Sequence, residues 1–214
     1  MHLKNKFNIF IFDCDGVVLD SNNLKIEAMK DALTRAKIDS SKISDCIGFF
    51  KKNFGKSRHH HINFFLDEIL LVKKNIRNEI FNKLLFDYSE NCRHLYAKSK
   101  TTPGFINFVK TLNGKKFIAS GSDQKELRKV MIENGLDEYF DRVYGSPDSK
   151  TNIIKKIINN NNGTPVMFGD SIADIESAEA NSIEFIGYLP FSNVKKELIS
   201  IAKKKNYTLL ESWC

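Results

Sequence analysis

Two acidic residues, Asp13 and Asp15, follow the short apolar run Phe7–Phe12, and two more, Asp170 and Asp174, follow the run Pro165–Phe168. Residues two apart on an extended chain point to the same side, separated by roughly 6.5 to 7 Å. Asp13 and Asp15 therefore face a common pocket while Cys14 points away, and Gly16 lets the backbone turn close to a ligand. The spacing of Asp170 and Asp174 puts both on one face at the start of a helix. Acids brought together in this way repel and raise one another's pKa unless a cation is present. The all-oxygen set Asp13, Asp15, Asp170 and Asp174 points to Mg²⁺, which usually keeps waters and takes a substrate phosphate as a further ligand. This fits phosphoryl transfer, in which catalysis is mostly positioning plus neutralisation of charge. An aspartate can be the nucleophile, giving an aspartyl-phosphate. The second acid, Asp15, would protonate the leaving oxygen and then activate water. Lys150, the Ser120 hydroxyl and backbone N–H groups at Gly121 would hold the phosphoryl group.

These residues lie just beyond apolar runs, and ligands of open parallel sheets bind beyond the carboxyl ends of the strands. Phe7–Phe12 reads as a strand buried on both faces, and Lys116–Ser120, Pro165–Phe168 and Ile183–Gly187 read as shorter strands of the same kind. Helical patterns over Asp123–Asn134, Lys150–Ile158 and Ser171–Ala180 alternate with them, which predicts an α/β fold with a Rossmann-like parallel sheet core. Residues 21–99 break the rhythm with amphipathic stretches around Leu24–Ala36, His60–Val72 and Ile76–Leu95. An interval of that length is too long for a crossover connection and predicts an inserted α-helical domain. The main domain then comprises residues 1–20 and 100–214, with Thr102-Pro103-Gly104 marking the return.

The chain has 214 residues, of which 42% are hydrophobic and 28% charged, so a globular protein with a sizeable core is expected. No apolar run is long enough to cross a bilayer and no signal-peptide pattern precedes Asp13, so a cytoplasmic protein without a membrane partner is expected. Cys14, Cys46, Cys92 and Cys214 lack zinc-ligand or CxxC spacing and read as reduced, structural residues. The net charge of +7 is dispersed over lysines without interleaved aromatics, and a nucleic-acid partner is not expected.

The segments Asp13-Cys14-Asp15-Gly16-Val17-Val18-Leu19-Asp20-Ser21, Ile118-Ala119-Ser120-Gly121-Ser122, Lys150 and Gly169-Asp170-Ser171-Ile172-Ala173-Asp174 resemble, in order, the four motifs of the haloacid dehalogenase superfamily. The likeness covers nearly the whole chain, with the helical insertion in the place of that superfamily's first-type cap. It implies Asp13 as nucleophile, Asp15 as acid/base, Ser120 and Lys150 as phosphate binders and Asp170 as a Mg²⁺ ligand, with Asp174 acting directly or through water. Members resembling true dehalogenases lack an aspartate at the place of Asp15, so the phosphatase branch is implied. The expected substrate is a small phosphomonoester, a sugar phosphate or comparable metabolite.

Singly, each of these residues has an ordinary reading: Asp13 and Asp15 as turn caps, Asp170 or Ser171 as a helix N-cap, Lys150 as a solvated helix residue. Turn and cap requirements do not explain acids following two separate strands. His59-His60-His61 lacks metal-ligand spacing and reads as cap surface or substrate contact. The segment Gly48–His61 reads as a cap loop between helices that closes over the site, with Lys51, Lys52, Lys56 and Arg58 as candidates for contacting an anionic substrate. Three other readings compete: a phosphonoacetaldehyde hydrolase using Lys51 as a Schiff base, a sugar-phosphate mutase resembling β-phosphoglucomutase, and a catalytically idle binding module.

Overall fold

A computed structural model describes residues 6–96 and 98–213. Its centre is the strand β1 (Ile9–Phe12), every residue of which is buried. Side chains alternate across a strand, and here the alternation feeds two separate cores. Phe10, Phe12 and Cys14 join the apolar cluster on one face, with Phe105, Leu127, Phe168 and Trp213. Ile9 and Ile11 join the other, with Ile153, Ile157, Ile175 and Leu198. Phe12 stacks on Phe168 with ring centroids 4.8 Å apart and meets Phe105 edge-on at 5.5 Å. Burying such a ring contributes on the order of 1.5 to 3 kcal/mol.

The sheet also contains β4 (Lys115–Asp123), β5 (Arg142–Ser146), β6 (Pro165–Gly169), β7 (Glu184–Tyr188) and β8 (Thr208–Leu210). They lie in the order β5-β4-β1-β6-β7-β8, and every pairing is parallel. Parallel strands require covered faces. That cover comes from α5 (Phe105–Lys110) and α6 (Gln124–Glu133) on one side, and from α7 (Lys150–Asn159), α8 (Ile172–Ala180) and α9 (Lys195–Lys205) on the other. Phe12 is level with Ile118 on β4 and with Phe168 on β6. The register therefore brings Asp13 beside Ala119 and Gly169, with Ser120 and Asp170 one residue further out on the same edge.

Between β1 and β4 the chain leaves the sheet through β2 (Leu19–Asp20) and returns through β3 (Lys100–Thr101). The two pair antiparallel, Leu19 with Thr101 and Asp20 with Lys100. Thr102 pins the exit to the entry: its N–H donates to the Val18 carbonyl at 2.9 Å, its hydroxyl to the Val17 carbonyl at 2.5 Å, and Trp213 Nε1 donates to that hydroxyl at 2.9 Å. The intervening chain forms α1 (Asn22–Arg35), α2 (Ser40–Lys52), α3 (Arg58–Phe64) running into a π-helical turn at Phe65–Ile69, and α4 (Lys74–Tyr96). These helices bury an apolar cluster of their own, which includes Met29, Leu33, Phe50, Ile62, Phe65 and Leu84.

The structure corrects the expected loop over Gly48–His61. Gly48–Lys52 is the last part of α2, Arg58–His61 is the first turn of α3, and residues 53–57 alone form the turn. Ser57 caps α3 by accepting from the His60 N–H. Strands β5 and β8 were not foreseen. Cys14, Cys46 and Cys92 are free and buried, and Cys214 lies outside the described residues. Among the described residues no helix is long and apolar enough to cross a membrane.

Candidate active site

Asp13 leaves β1 with its backbone N–H donating to the Phe168 carbonyl at 2.9 Å, which fixes its direction toward the end of β6. There it meets Asp170 and Asp174, and one carboxylate oxygen from each of the three lies within 4.8 Å of the others. All three side chains are buried. Gly16 closes the turn after β1 at φ +78°, a conformation that favours glycine, and a Cβ there would collide with Asp170 and Asn22. Lys150, the first residue of α7, reaches into the cluster with Nζ 2.9 Å from Asp13 Oδ1 and a second contact to Asp174 Oδ1. Asp174 also forms a capping box with Ser171: its Oδ2 accepts from the Asp170 N–H at 3.2 Å, the Ser171 N–H at 3.0 Å and the Ser171 hydroxyl at 2.6 Å. Ser171 is thus the N-cap of its ordinary reading, and its partner in the box is an acid of the cluster.

Burial, followed by repulsion from Asp174, pushes the Asp13 carboxyl up to about 7 against the pull of Lys150. Burial and the neighbouring Asp13 and Asp174 hold Asp170 well above the usual carboxylate range. Burial would lower the Lys150 ammonium, but Asp13 and Asp174 outweigh it and raise it further. One ammonium does not neutralise three acids. Asp170 Oδ2 accepts from Asn22 Nδ2 at 2.8 Å, while Asp170 Oδ1 and Asn22 Oδ1 are buried without a hydrogen-bond partner. Three buried, hard carboxylates gathered in one place, one of them with an orphaned oxygen, are a donor set that fits a small dication.

Asp15, expected among the metal-ligating carboxylates, stands outside this cluster of three. Its two oxygens are occupied by four donors. Ser21 and Tyr96 hydroxyls donate to Oδ1 at 2.6 and 2.5 Å, and Lys25 Nζ and the Ser122 hydroxyl donate to Oδ2 at 2.5 and 2.9 Å. Burial acts to raise the Asp15 carboxyl, but Lys25 and the hydroxyl donors together hold it below its ordinary value. Lys25 Nζ also donates to Ser122 Oγ at 2.5 Å and lies 4.7 Å from the Tyr96 ring centroid. Ser120 is buried beside this group, its Oγ accepting from the Ser122 N–H at 3.1 Å.

Gly121 touches the turn of residues 53–57: a Cβ there would collide with the carbonyls of Gly55 and Lys56. That turn lies against Lys150 and Ser171, and Asp13 lines neither the cavity around Asp15 nor the one around Lys150. Of the four expected cap contacts, Lys56 and Arg58 border the cavity that contains Asp15 and Gly121. Lys56 is half exposed at its rim and pairs with Glu176 at 2.8 Å. Arg58 is buried and grips Glu126 of α6 through both guanidinium ends, at 3.0 and 2.5 Å. Lys51 and Lys52 do not reach it. Both are exposed near the end of α2, and Lys51 borders a separate groove with Lys30, Ile43 and Ile47.

Sequence reasoning missed Asn22, Lys25 and Tyr96, and it placed Ser21 and Ser122 in motifs without giving them a role. One signal was present. The buried face of α1 runs Asn22, Lys25, Ala28–Met29 and Ala32–Leu33, so two polar residues stand in line with the apolar stripe. Polar groups buried in such positions need partners.

Solved structures show where this fold recurs. A predicted phosphatase from Clostridium acetobutylicum is 18% identical over 95% of this chain and 94% of its own, with a TM-score of 0.75. A predicted phosphoglycolate phosphatase from Haemophilus somnus is 15% identical over 97% and 95%, at 0.74. A haloacid dehalogenase-like hydrolase from Streptococcus pneumoniae is 16% identical over 95% and 94%, at 0.71. A search of curated protein sequences returned no match. The family model for haloacid dehalogenase-like hydrolases matches residues 10–188, through β1, the helical insertion and the edge that carries the acids, and the chain belongs to that family.

Proposed function

We propose that the protein is a Mg²⁺-dependent phosphatase that hydrolyses a small phosphomonoester through an aspartyl-phosphate on Asp13. The observation that carries this reading is the division of the acids. Asp13, Asp170 and Asp174 form one buried cluster with an orphaned oxygen, and Asp15 sits apart in a cage of donors. One acid is thus placed for bond formation at phosphorus and another for proton transfer. Asp13, Asp170 and Asp174 would hold the ion, Asp174 directly or through water. When bound, Mg²⁺ would supply positive charge against the phosphoryl oxygens.

An Asp13 oxygen attacks phosphorus and the ester oxygen departs with a proton from Asp15. Water then gives a proton to Asp15 and attacks the same phosphorus, which releases phosphate and restores Asp13. Lys150, the Ser120 hydroxyl and the backbone at Gly121 hold the phosphoryl oxygens. The ionised Asp15 held by Lys25 is the form that activates water, and its acid role requires Lys25 to draw back. Residues 21–99 act as a cap over a core of residues 1–20 and 100–214, and the turn at 53–57 must lift to admit the ester, since in the present arrangement it lies against Lys150. Lys51 stands exposed beside a separate groove, which favours ester hydrolysis over Schiff-base chemistry on that residue.

The test is release of inorganic phosphate from an aryl phosphate with Mg²⁺ and with EDTA. Turnover should require the metal and vanish in Asp13→Asn; undiminished turnover in that variant would remove the mechanism.

A further inference from the structure

Ser21 and Tyr96 stand at the two ends of the helical insertion: Ser21 follows β2, and Tyr96 is the last residue of α4. The antiparallel pairing of β2 with β3 brings these ends together. Both residues are buried, and their hydroxyls converge on one oxygen of Asp15, Ser21 donating to Oδ1 at 2.6 Å and Tyr96 at 2.5 Å. The other acceptors near these hydroxyls are more distant, the Leu19 carbonyl at 3.5 Å from Ser21 Oγ and Cys14 Sγ at 3.8 Å from the Tyr96 hydroxyl. Asp15 Oδ2 keeps different company, the Lys25 ammonium and the Ser122 hydroxyl. Lys25 and Ser122 border the cavity that contains Asp15, whereas Ser21 and Tyr96 do not, so Oδ2 stands on the cavity side.

The donors also differ in what carries them. Tyr96 belongs to the apolar cluster of the sheet domain, together with Phe105, Val130 and Trp213. Its backbone carbonyl is held by Ser99, which donates its N–H at 3.0 Å and its hydroxyl at 2.6 Å. Lys25 instead stands on α1, whose Ala28, Met29, Ala32 and Leu33 belong to the insertion's own cluster. Lifting the insertion therefore carries Lys25 away from Oδ2 and leaves Tyr96 on Oδ1. A protonated carboxyl bears its hydrogen on one oxygen and keeps the other as an acceptor with two lone pairs. Two hydroxyls on Oδ1 fill that acceptor and leave Oδ2 as the place for the proton. Without them the carboxyl turns on a soft terminal torsion, since the last side-chain angle of aspartate has no sharp minimum.

We infer that Tyr96, seconded by Ser21, is a positioning residue that anchors Oδ1 of Asp15 so that Oδ2 alone delivers the proton to the leaving oxygen. The inference rests on the phosphatase reading above and deepens it by naming the working oxygen and the groups that aim it. With Lys25 drawn back, the ester oxygen takes its place beside Oδ2. As the P–O bond breaks, that oxygen keeps the bonding electron pair and takes the Oδ2 proton, which leaves Asp15 a carboxylate. Water returns a proton to Oδ2 in the second step. Tyr96 and Ser21 touch neither the ester nor the water and act through Asp15 alone.

The experiment compares kcat/KM, which spans the steps up to phosphoryl transfer, for phenyl phosphate and para-nitrophenyl phosphate with Mg²⁺. Nitrophenolate departs without a proton, whereas the more basic phenolate gains from one. Tyr96→Phe keeps the ring and removes only the hydroxyl, and it should lose about tenfold more on the phenyl ester than on the nitrophenyl ester. Ser21→Ala removes the other anchor and should move the same ratio in the same direction. A purely structural role would lower both esters alike. Equal losses on the two esters, a larger loss on the nitrophenyl ester, or no loss in either variant overturns the inference, as does a wild type that hydrolyses the nitrophenyl ester only. Wild-type turnover separates the two levels. If it hydrolyses both esters and the variants leave their ratio unchanged, only the positioning inference fails; if it hydrolyses neither, the phosphatase reading fails and this one with it.

Discussion

Replacing Asp13 with Asn should stabilise the metal-free protein, and the gain should grow with pH. Asp13 is buried beside two other acids, and its carboxyl stands at about 7 against an ordinary value of 3.8. Between those values the native state holds a proton that the unfolded chain has released, so stability falls as pH rises through this window. Each unit is worth about 1.4 kcal/mol, and the roughly three units here amount to on the order of 4 kcal/mol at pH 8. Proton sharing with Asp170 makes this an upper bound. Asparagine is neutral at every pH and escapes the loss. For a chain of this size 1 kcal/mol moves Tm by roughly 2 to 4 °C, so the gap between variant and wild type should widen by up to roughly 8 to 16 °C from pH 4 to pH 8. The assay is thermal unfolding in EDTA across that range, repeated with Mg²⁺, which should rescue the wild type more than the variant. Parallel curves for the two proteins, or a less stable variant at pH 8, would refute the claim that the acids are crowded until a cation arrives.

Three further outcomes are expected. Asn22→Ala removes the donor to Asp170 Oδ2 at 2.8 Å and should raise the Mg²⁺ dissociation constant by roughly tenfold, measured by calorimetric titration. Glu126→Ala leaves Arg58 buried and unpaired and should cost roughly 2 to 3 kcal/mol in urea unfolding, less than for a fully buried pair because the Glu126 side chain is 23% exposed. Burial lowers the His61 imidazole to about 3, so the unfolded chain binds a proton that the native state refuses below about pH 6.5. Stability should therefore fall as pH drops from 6.5 toward 3, and His61→Gln should flatten that slope in chemical unfolding at pH 4 to 7.

The strands that meet the core on both faces were legible because burial leaves a continuous apolar run: Ile9–Phe12 and Pro165–Gly169 carry their own signal. Strand β5 did not, since an edge strand reading Arg-Val-Tyr-Gly-Ser has one side free of the sheet and no unbroken apolar pattern. The edge strand β8 is three residues long and follows a lysine-rich helix, so it too gave no pattern to read. Among the site residues, Asp13, Asp170 and Lys150 could be placed because each follows a strand or opens a helix, and topology alone brings such positions to one edge. Of the donors around Asp15, Lys25 and Tyr96 come from helices whose packing no local pattern fixes, ten and eighty-one residues away in sequence, and Ser122 comes from the end of β4, one hundred and seven away. Lys51 and Lys56 looked equivalent in the sequence. The end of α2 at Lys52 separates them, leaving Lys51 on an exposed helix face and Lys56 in the turn over the site.

The most direct experiment is to quench the enzyme during turnover of a phosphate ester with Mg²⁺ and locate the phosphoryl group by tandem mass spectrometry. The proposed mechanism puts a single acid-stable, base-labile phosphoryl group on the peptide that contains Asp13, and none in Asp13→Asn. Phosphate release that proceeds with that peptide unmodified at every quench time, or with the label on another residue, would contradict it.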